Sequence, residues 1–204
     1  TTPHKLVLVL GTAVPLKRRI DEGETFDVAI LTPPLMEDLA KQGKTAAATT
    51  VNVARTGLGV AIAKGAARRD VGSAQAMKNT LLNAKTIAYT REGQSGAAAA
   101  RMIERLGIAE VMKPRTHLDT RPGGGLTAVH EGKAELAFAL VSEIVPSHEV
   151  DYAGPFPSEL QSYVVFAAGV STAAKDAEAA KAFIDFLRGP SVPPILKALG
   201  MEGG

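Results

Sequence analysis

Short apolar runs alternate with amphipathic stretches along most of this chain. "KLVLVL" (5–10) reads as a buried strand and "VPLKRRIDEG" as a short helix ending at Gly23. "FDVAIL" (26–31) is the next strand. "PPLMEDLAKQG" then predicts a helix, because proline's fixed φ suits a first turn and Gly43 a left-handed exit. "GLGVAI" (57–62) reads as strand, "SAQAMKNTLLNA" as a helix capped by Ser73, and "TIAY" (86–89) as strand. The segment "TREGQSGAAAARMIERLG" (90–107) opens as a polar loop and turns into an alanine-rich helix, with Ser95 the expected N-cap. A weak strand near "RTHLD" and a two-turn helix after "RPGGG" follow, then strands at "AELAFAL" (134–140) and "YVVFAAGV" (163–170). In the closing helix, "DAEAAKAFIDFLRGP", Ala179, Phe183, Phe186 and Leu187 share the expected docking face.

This strand–helix alternation predicts an α/β fold of parallel sheets covered by helices. In such folds ligands sit beyond the carboxyl ends of strands, where helices begin. Three of these junctions are polar or glycine-bearing: "LGTAVP", "TREGQSG" and "TRPGGGL". A helix N-terminus carries roughly half a positive charge and unpaired N–H donors, so several of them favour an anion without any lysine.

Composition narrows the classes. The 204 residues are 46% hydrophobic and 22% charged, as in an ordinary globular chain, and suffice for one large domain or two small ones. A net charge of +2 with scattered basic residues argues against nucleic acid, and 4% aromatics leave little for stacking. The absence of cysteine removes disulfides, thiolate metal sites and cysteine nucleophiles, but does not decide location. No apolar run reaches a membrane span. "TTPHKLVLVLG" does not read as a signal peptide, so the chain reads as mature, cytoplasmic or trimmed.

Catalytic patterns are weak. "PGGGLTA" fits a dinucleotide fingerprint on spacing, but Pro122 and a polar preceding segment spoil its context. "GQSGA" misses the last glycine of a nucleophile elbow, and its serine does not follow directly on a strand. His4, His117, His130 and His148 show no metal-ligand spacing, and no cofactor is called for. Glu143 is a solvated loop carboxylate first and a general base second. Arg55, Arg91 and Arg121 lie in or beside the polar junctions, where a guanidinium fork pairs with a carboxylate as backbone donors alone cannot.

The order of "GTAVPLKRRIDEGETFDVAILTP", "IAYTREGQSG", "HEGKAELAFALVSEI" and "AAKDAEAAKAFIDFLRGPSVPPILKALGM" resembles the type II periplasmic solute-binding proteins of ABC transporters. Within them it is similar to the group that includes the molybdate-binding proteins, and the likeness covers nearly the whole chain. The resemblance implies two α/β lobes, each a mostly parallel sheet flanked by helices: residues 1–83 with 164–204, and residues 84–163. It also implies an anion in a cleft between them, an ABC permease as membrane partner, a periplasmic location, a monomer and no turnover. Matching loops put Thr12, Ala13 and Thr32 on one lobe and Ser95, Gly96, Gly124 and Gly125 on the other. Arg55 and Arg91 join them as ligand candidates.

Two departures shape the expectation. The family's opening strand–loop–helix unit precedes the segment matching "HKLVLVLG" and has no counterpart here, which would leave a sheet edge exposed. At Leu140 the molybdate-binding pattern has a tyrosine. Loss of that hydroxyl, with arginines nearby, moves the expected ligand from a tetrahedral oxyanion to a small organic carboxylate. The alternative function is an isomerase of a small tricarboxylate on the same scaffold, similar to aconitate isomerases, with Glu143, Tyr89 or His117 as base. A third, the sensing domain of a transcription regulator, lacks a DNA-binding segment in this chain.

Overall fold

The computed structural model describes residues 4–91 and 93–204. They form two compact units: residues 1–55, 165–196 and 202–204, and residues 56–164 with 197–201.

The first unit opens with helix α1 (Ala13–Asp21), whose preceding residue Thr12 is extended. The chain leaves α1 through Gly23, at φ 102°, and enters strand β1 (Val28–Leu31). Helix α2 (Pro33–Lys41) follows at once and buries Met36 and Leu39. Strand β2 (Val51–Ala63) begins in this unit and ends in the second.

In the second unit come helix α3 (Ala74–Asn83), strand β3 (Ile87–Thr90), helix α4 (Gln94–Arg105), helix α5 (Ala109–Met112) and strand β4 (Thr116–Asp119). Helix α6 (Gly124–His130), strand β5 (Leu136–Leu140), helix α7 (Val141–Ile144) and strand β6 (Val150–Pro155) complete it. Strand β7 (Tyr163–Val170) returns the chain to the first unit. There α8 (Ala177–Leu187), most of α9 (Pro193–Ala198) and β8 (Glu202–Gly203) finish the fold.

The second unit shows how side-chain size sets the layers. β5 pairs antiparallel with β2 and parallel with β3, and β3 pairs parallel with β4. Side chains alternate across a strand. Leu136 and Phe138 of β5 therefore join Leu58, Val60 and Ile62 of β2 in one core, under Met77 and Leu81 of α3 and Ala98, Ala99 and Met102 of α4. Ala137 and Ala139 face the other way, against Leu126, Ala128 and Val129 of α6. The small alanine face admits a helix at close range. Phe138 sits between Tyr89, stacked at 6.2 Å, and Phe156, edge-on at 5.4 Å.

Strand directions are mixed, and among the registered pairs of the described residues parallel pairing is confined to the β5–β3–β4 run. The other registered pairs, β1 with β7 and β2 with β5, β6 and β8, are antiparallel. β2 and β7 are long returning strands and not halves of strand–helix–strand units, so alternation alone does not reveal their direction.

Four further expectations change. Residues 5–10 form no strand: they have no registered partner, and Leu6, Val7, Leu8 and Leu10 are all more than half exposed. A strand needs a neighbour to satisfy its backbone, and apolar content alone does not make one. The N-cap of α4 is Gly93, at φ 95°, so Ser95 is the second helical residue. In α8 the buried face is Ala180 and Ile184, while Phe186 is 55% exposed. The units divide at Arg55/Thr56, and residues 56–83 fall in the second unit because β2 supplies the strand on which β5 and β6 pair.

Candidate functional site

The helix starts differ in the donors they leave open. At α2 the first two residues are Pro33 and Pro34, which have no N–H, and the Leu35 and Met36 N–H groups both bond the Thr32 carbonyl at 3.0 Å. Here the helix dipole survives but its donors do not, and Thr32, buried at 5% exposure with no side-chain cap bond, is the polar group that remains. At α1 the Leu16 N–H closes on Thr12, and Pro15 has none, so Ala13 and Val14 keep theirs open among the described residues.

The start of α4 is the richest. Ala97 N–H bonds the Gly93 carbonyl, and among the described residues nothing takes the Gln94, Ser95 or Gly96 N–H groups. Gly96 is buried beneath the carboxyl end of β3: a β-carbon there would overlap the Thr90 carbonyl oxygen. The glycine is thus required by close approach, and it pins the loop's two ends together.

The parallel register of β3 and β4 sets Thr90 opposite Asp119, and the Arg91 N–H donates to the Asp119 carbonyl at 2.7 Å. Two helix starts, α4 and α6, therefore lie at the same edge of the second unit's sheet. α6 begins at Gly124, after Gly123 at φ 70°. Its own Gly124 N–H bonds the Arg121 carbonyl, and Leu126 and Thr127 bond Gly123, which leaves Gly125 as the open donor among the described residues. Gly124 lies against the Asp119 carboxylate and Gly125 against the Tyr89 backbone, so both glycines serve packing first.

Asp119 brings an internal anion to this edge. Arg121 meets it with a fork, Nη2 to Oδ2 at 2.7 Å and Nε to Oδ1 at 3.1 Å, and the Arg121 N–H adds a bond at 2.8 Å. These bonds hold the Asp119 carboxyl far below its ordinary pKa and keep it charged. Arg121 is therefore committed to the loop. Arg91 is exposed, and its guanidinium has no partner among the described residues.

Arg55 belongs to the first unit, where β8 pairs with β2 and sets it opposite Glu202. Its Nη2 and Nε both reach Glu202 Oε2, at 2.6 and 2.8 Å. The sequence-selected residues thus fall into two groups. Thr12, Ala13, Thr32 and Arg55 lie in the first unit, and Arg91, Ser95, Gly96, Gly124 and Gly125 gather at one sheet edge of the second.

Of the three candidate bases, Tyr89 stacks in the core, where burial raises its phenol above the ordinary value and Glu104 adds to the shift. His117 is exposed on β4. Glu143 accepts the Leu140 N–H at 3.3 Å. Crowding around its carboxyl raises the pKa, although the residue as a whole stays open to solvent, which limits the effect. No hydrogen bond joins any two of the three. What sequence reasoning missed is the Asp119–Arg121 fork. The D-x-R spacing two residues before a glycine run was the available signal.

The sequence profile of the bacterial extracellular solute-binding proteins matches residues 1–202. The chain belongs to that family. Molybdate-binding protein ModA of Azotobacter vinelandii is 27% identical over 208 residues, covering 98% of this chain and 79% of the relative. Aconitate isomerase of a Pseudomonas species is 22% identical over 193 residues, covering 94% of this chain and 72% of that enzyme. The solved periplasmic molybdate-binding protein of Azotobacter vinelandii superposes with a TM-score of 0.78 at 20% identity, covering 98% of this chain and 88% of that one. The expected α/β, type II solute-binding fold is therefore the fold of this family member.

Proposed function

We propose that this solute-binding protein is the periplasmic receptor of an ABC importer and captures a small organic carboxylate. One observation carries the reading. α4 offers three consecutive N–H groups at Gln94, Ser95 and Gly96 that nothing among the described residues takes, locked in place by the Gly96–Thr90 approach and flanked by Arg91, unpaired among the described residues. Such an end holds a carboxylate by charge-assisted hydrogen bonds without catalytic machinery. Gly125 at α6 is its companion in the second unit, Thr12, Ala13 and Thr32 are the candidates of the first, and the two compact units are taken as the two lobes. The protein acts as a monomer that hands its solute to a membrane permease.

The preference for a carboxylate over molybdate rests on Leu140, which has no hydroxyl to give, and on the planar guanidinium fork of Arg91, which matches a planar carboxylate. Thermal-shift titration against molybdate, sulfate, and di- and tricarboxylates tests the reading, since a bound ligand raises stability by mass action. Stabilisation by carboxylates supports it, and stabilisation by none of these anions overturns it.

The match to an aconitate isomerase over 94% of this chain supports a second reading, proton transfer within a small tricarboxylate. That needs a base beside an acidic C–H, and Glu143, with its raised carboxyl pKa, is the residue to hold it. Proton NMR of trans-aconitate with substoichiometric protein separates the two. Conversion establishes turnover, and an unchanged spectrum leaves the receptor.

A further inference from the structure

Beside the start of α4 the second unit contains a cavity of about 270 Å³. Leu58 of β2, fully buried, lines it together with Ala97 and Ala98 of α4. Arg101, one turn further along the helix, and Tyr163, at the start of β7, supply polar groups, and Gln94 lines it from the helix start.

Three features give this cavity a chemistry. Ala97 and Ala98 are the smallest side chains a helix can carry while keeping full propensity, and they leave the space that a leucine at either position would fill. The other arginines of the unit that make contacts are spent. Arg105 donates to the Glu159 carbonyl, Arg115 to Leu82 and Ala84, Arg121 to Asp119, and Arg69 pairs with Glu135. Arg101 has no ion pair or hydrogen bond among the described residues, although it is long enough to reach a neighbour. Its guanidinium therefore offers a free fork over an apolar floor, which matches a carboxylate on a hydrocarbon body. An inorganic oxyanion gains nothing from Leu58.

Spacing relates the cavity to the helix start. Gln94 and Arg101 are seven residues apart, a rise of about 10 Å, and a long helical side chain leans back toward the N-terminus, which shortens the gap between its head and the open N–H groups. We infer that this cavity is the specificity pocket for a small di- or tricarboxylate. One carboxylate sits on the α4 N–H groups, a second on Arg101, and the carbon chain lies against Leu58, Ala97 and Ala98. The inference takes from the proposed function that the ligand is a small organic anion, and adds its class and the residues that select it.

The test is isothermal titration of the wild type, Arg101→Gln and Ala97→Leu with acetate, molybdate, succinate, tricarballylate and trans-aconitate. Both positions are exposed on α4, and matching melting temperatures confirm that the variants fold. The expected result is a loss of about tenfold or more in affinity for the polycarboxylates in each variant, with acetate and molybdate changed by less than about twofold. Polycarboxylate binding equal to wild type in both variants overturns the pocket and leaves the anion-binding reading standing. Binding of molybdate but of no polycarboxylate by the wild type has the same meaning. Failure of the wild type to bind any of the five probes overturns both.

Discussion

Gly96 and Thr90 approach so closely that a β-carbon on the glycine cannot be accommodated beside the threonine carbonyl. Two effects of opposite sign compete in the variant Gly96→Ala. Alanine in a helix is favoured over glycine by about 1 kcal/mol. Overpacking against backbone, which cannot swing aside as a side chain can, costs roughly 1–3 kcal/mol. The overlap is severe and the obstacle is main chain, so the second effect wins. The expected outcome is a net loss of stability in urea denaturation, accompanied by weaker anion binding as the helix start shifts. A stabilised Gly96→Ala protein would sink the account of this loop.

The donors themselves can be removed one at a time. Proline fits the first helical position, where the N–H has no intrahelical partner and φ already lies near the proline value. Gln94→Pro therefore deletes one open donor at α4 and is expected to change stability by less than about 1 kcal/mol, because nothing folded is lost. A hydrogen bond to a charged ligand contributes about 1.5–3 kcal/mol, so affinity for the bound anion should fall about tenfold or more. Calorimetric titration checks this, and unchanged affinity would move the ligand away from α4.

How far the sequence could be read depended on whether the controlling contact was local. Gly23, Gly43 and Gly107 end helices through a left-handed exit, a local requirement, and all three have positive φ. Ser73 likewise caps α3, its Oγ accepting the Ala76 N–H at 3.1 Å. β7 spans 163–170 as its apolar run predicted. Where partners lie far apart in the chain, the pattern misled or was silent. The apolar run at 5–10 has the composition of a strand and no neighbour to pair with. β6, over Val150–Pro155, is half-polar and exists because β2 gives it an edge. Ser95 has the right chemistry for a cap, but Gly93 takes the position because the loop enters the helix through φ 95°. At the candidate site the polar junctions were legible as junctions. Their inequality was not, although Pro33 and Pro34 already said that α2 has no donors to offer.

The Asp119–Arg121 fork makes the β4–α6 loop sensitive to acid. Its carboxyl pKa is lowered first by the Arg121 side chain and then by the Arg121 backbone N–H. A depressed folded-state pKa contributes stability that is complete above the unfolded value, near 3.9, and is lost as pH falls from there toward the folded value. Asp119→Asn is therefore expected to lower the melting temperature by a constant amount between about pH 5 and pH 8. The gap to wild type should narrow below about pH 4, as Asp119 of the unfolded wild-type chain takes up a proton that the folded chain does not. Thermal melts of both proteins across that range decide it. A gap that persists unchanged into strong acid would mean that the shape of Asp119, packed against Gly124, matters more than its charge.

The last prediction contrasts two arginines of the same polar junctions. Arg55 is drawn across β2 onto Glu202, and both side chains are about half exposed, at 47% and 53%. Exposed pairs of this kind contribute about 0–1 kcal/mol, so Arg55→Gln should cost no more than that and leave anion affinity within about twofold of wild type. Arg91 has no such partner among the described residues and sits beside the open N–H groups of α4. Arg91→Gln should weaken anion binding by about threefold or more at low salt. Because the guanidinium is exposed, the difference should shrink as ionic strength rises past about 0.1 M, where the Debye length falls to about 10 Å. Titrations of both variants at low and high salt give the comparison. If Arg55→Gln proves the more damaging, its fork to Glu202 must open when the anion arrives.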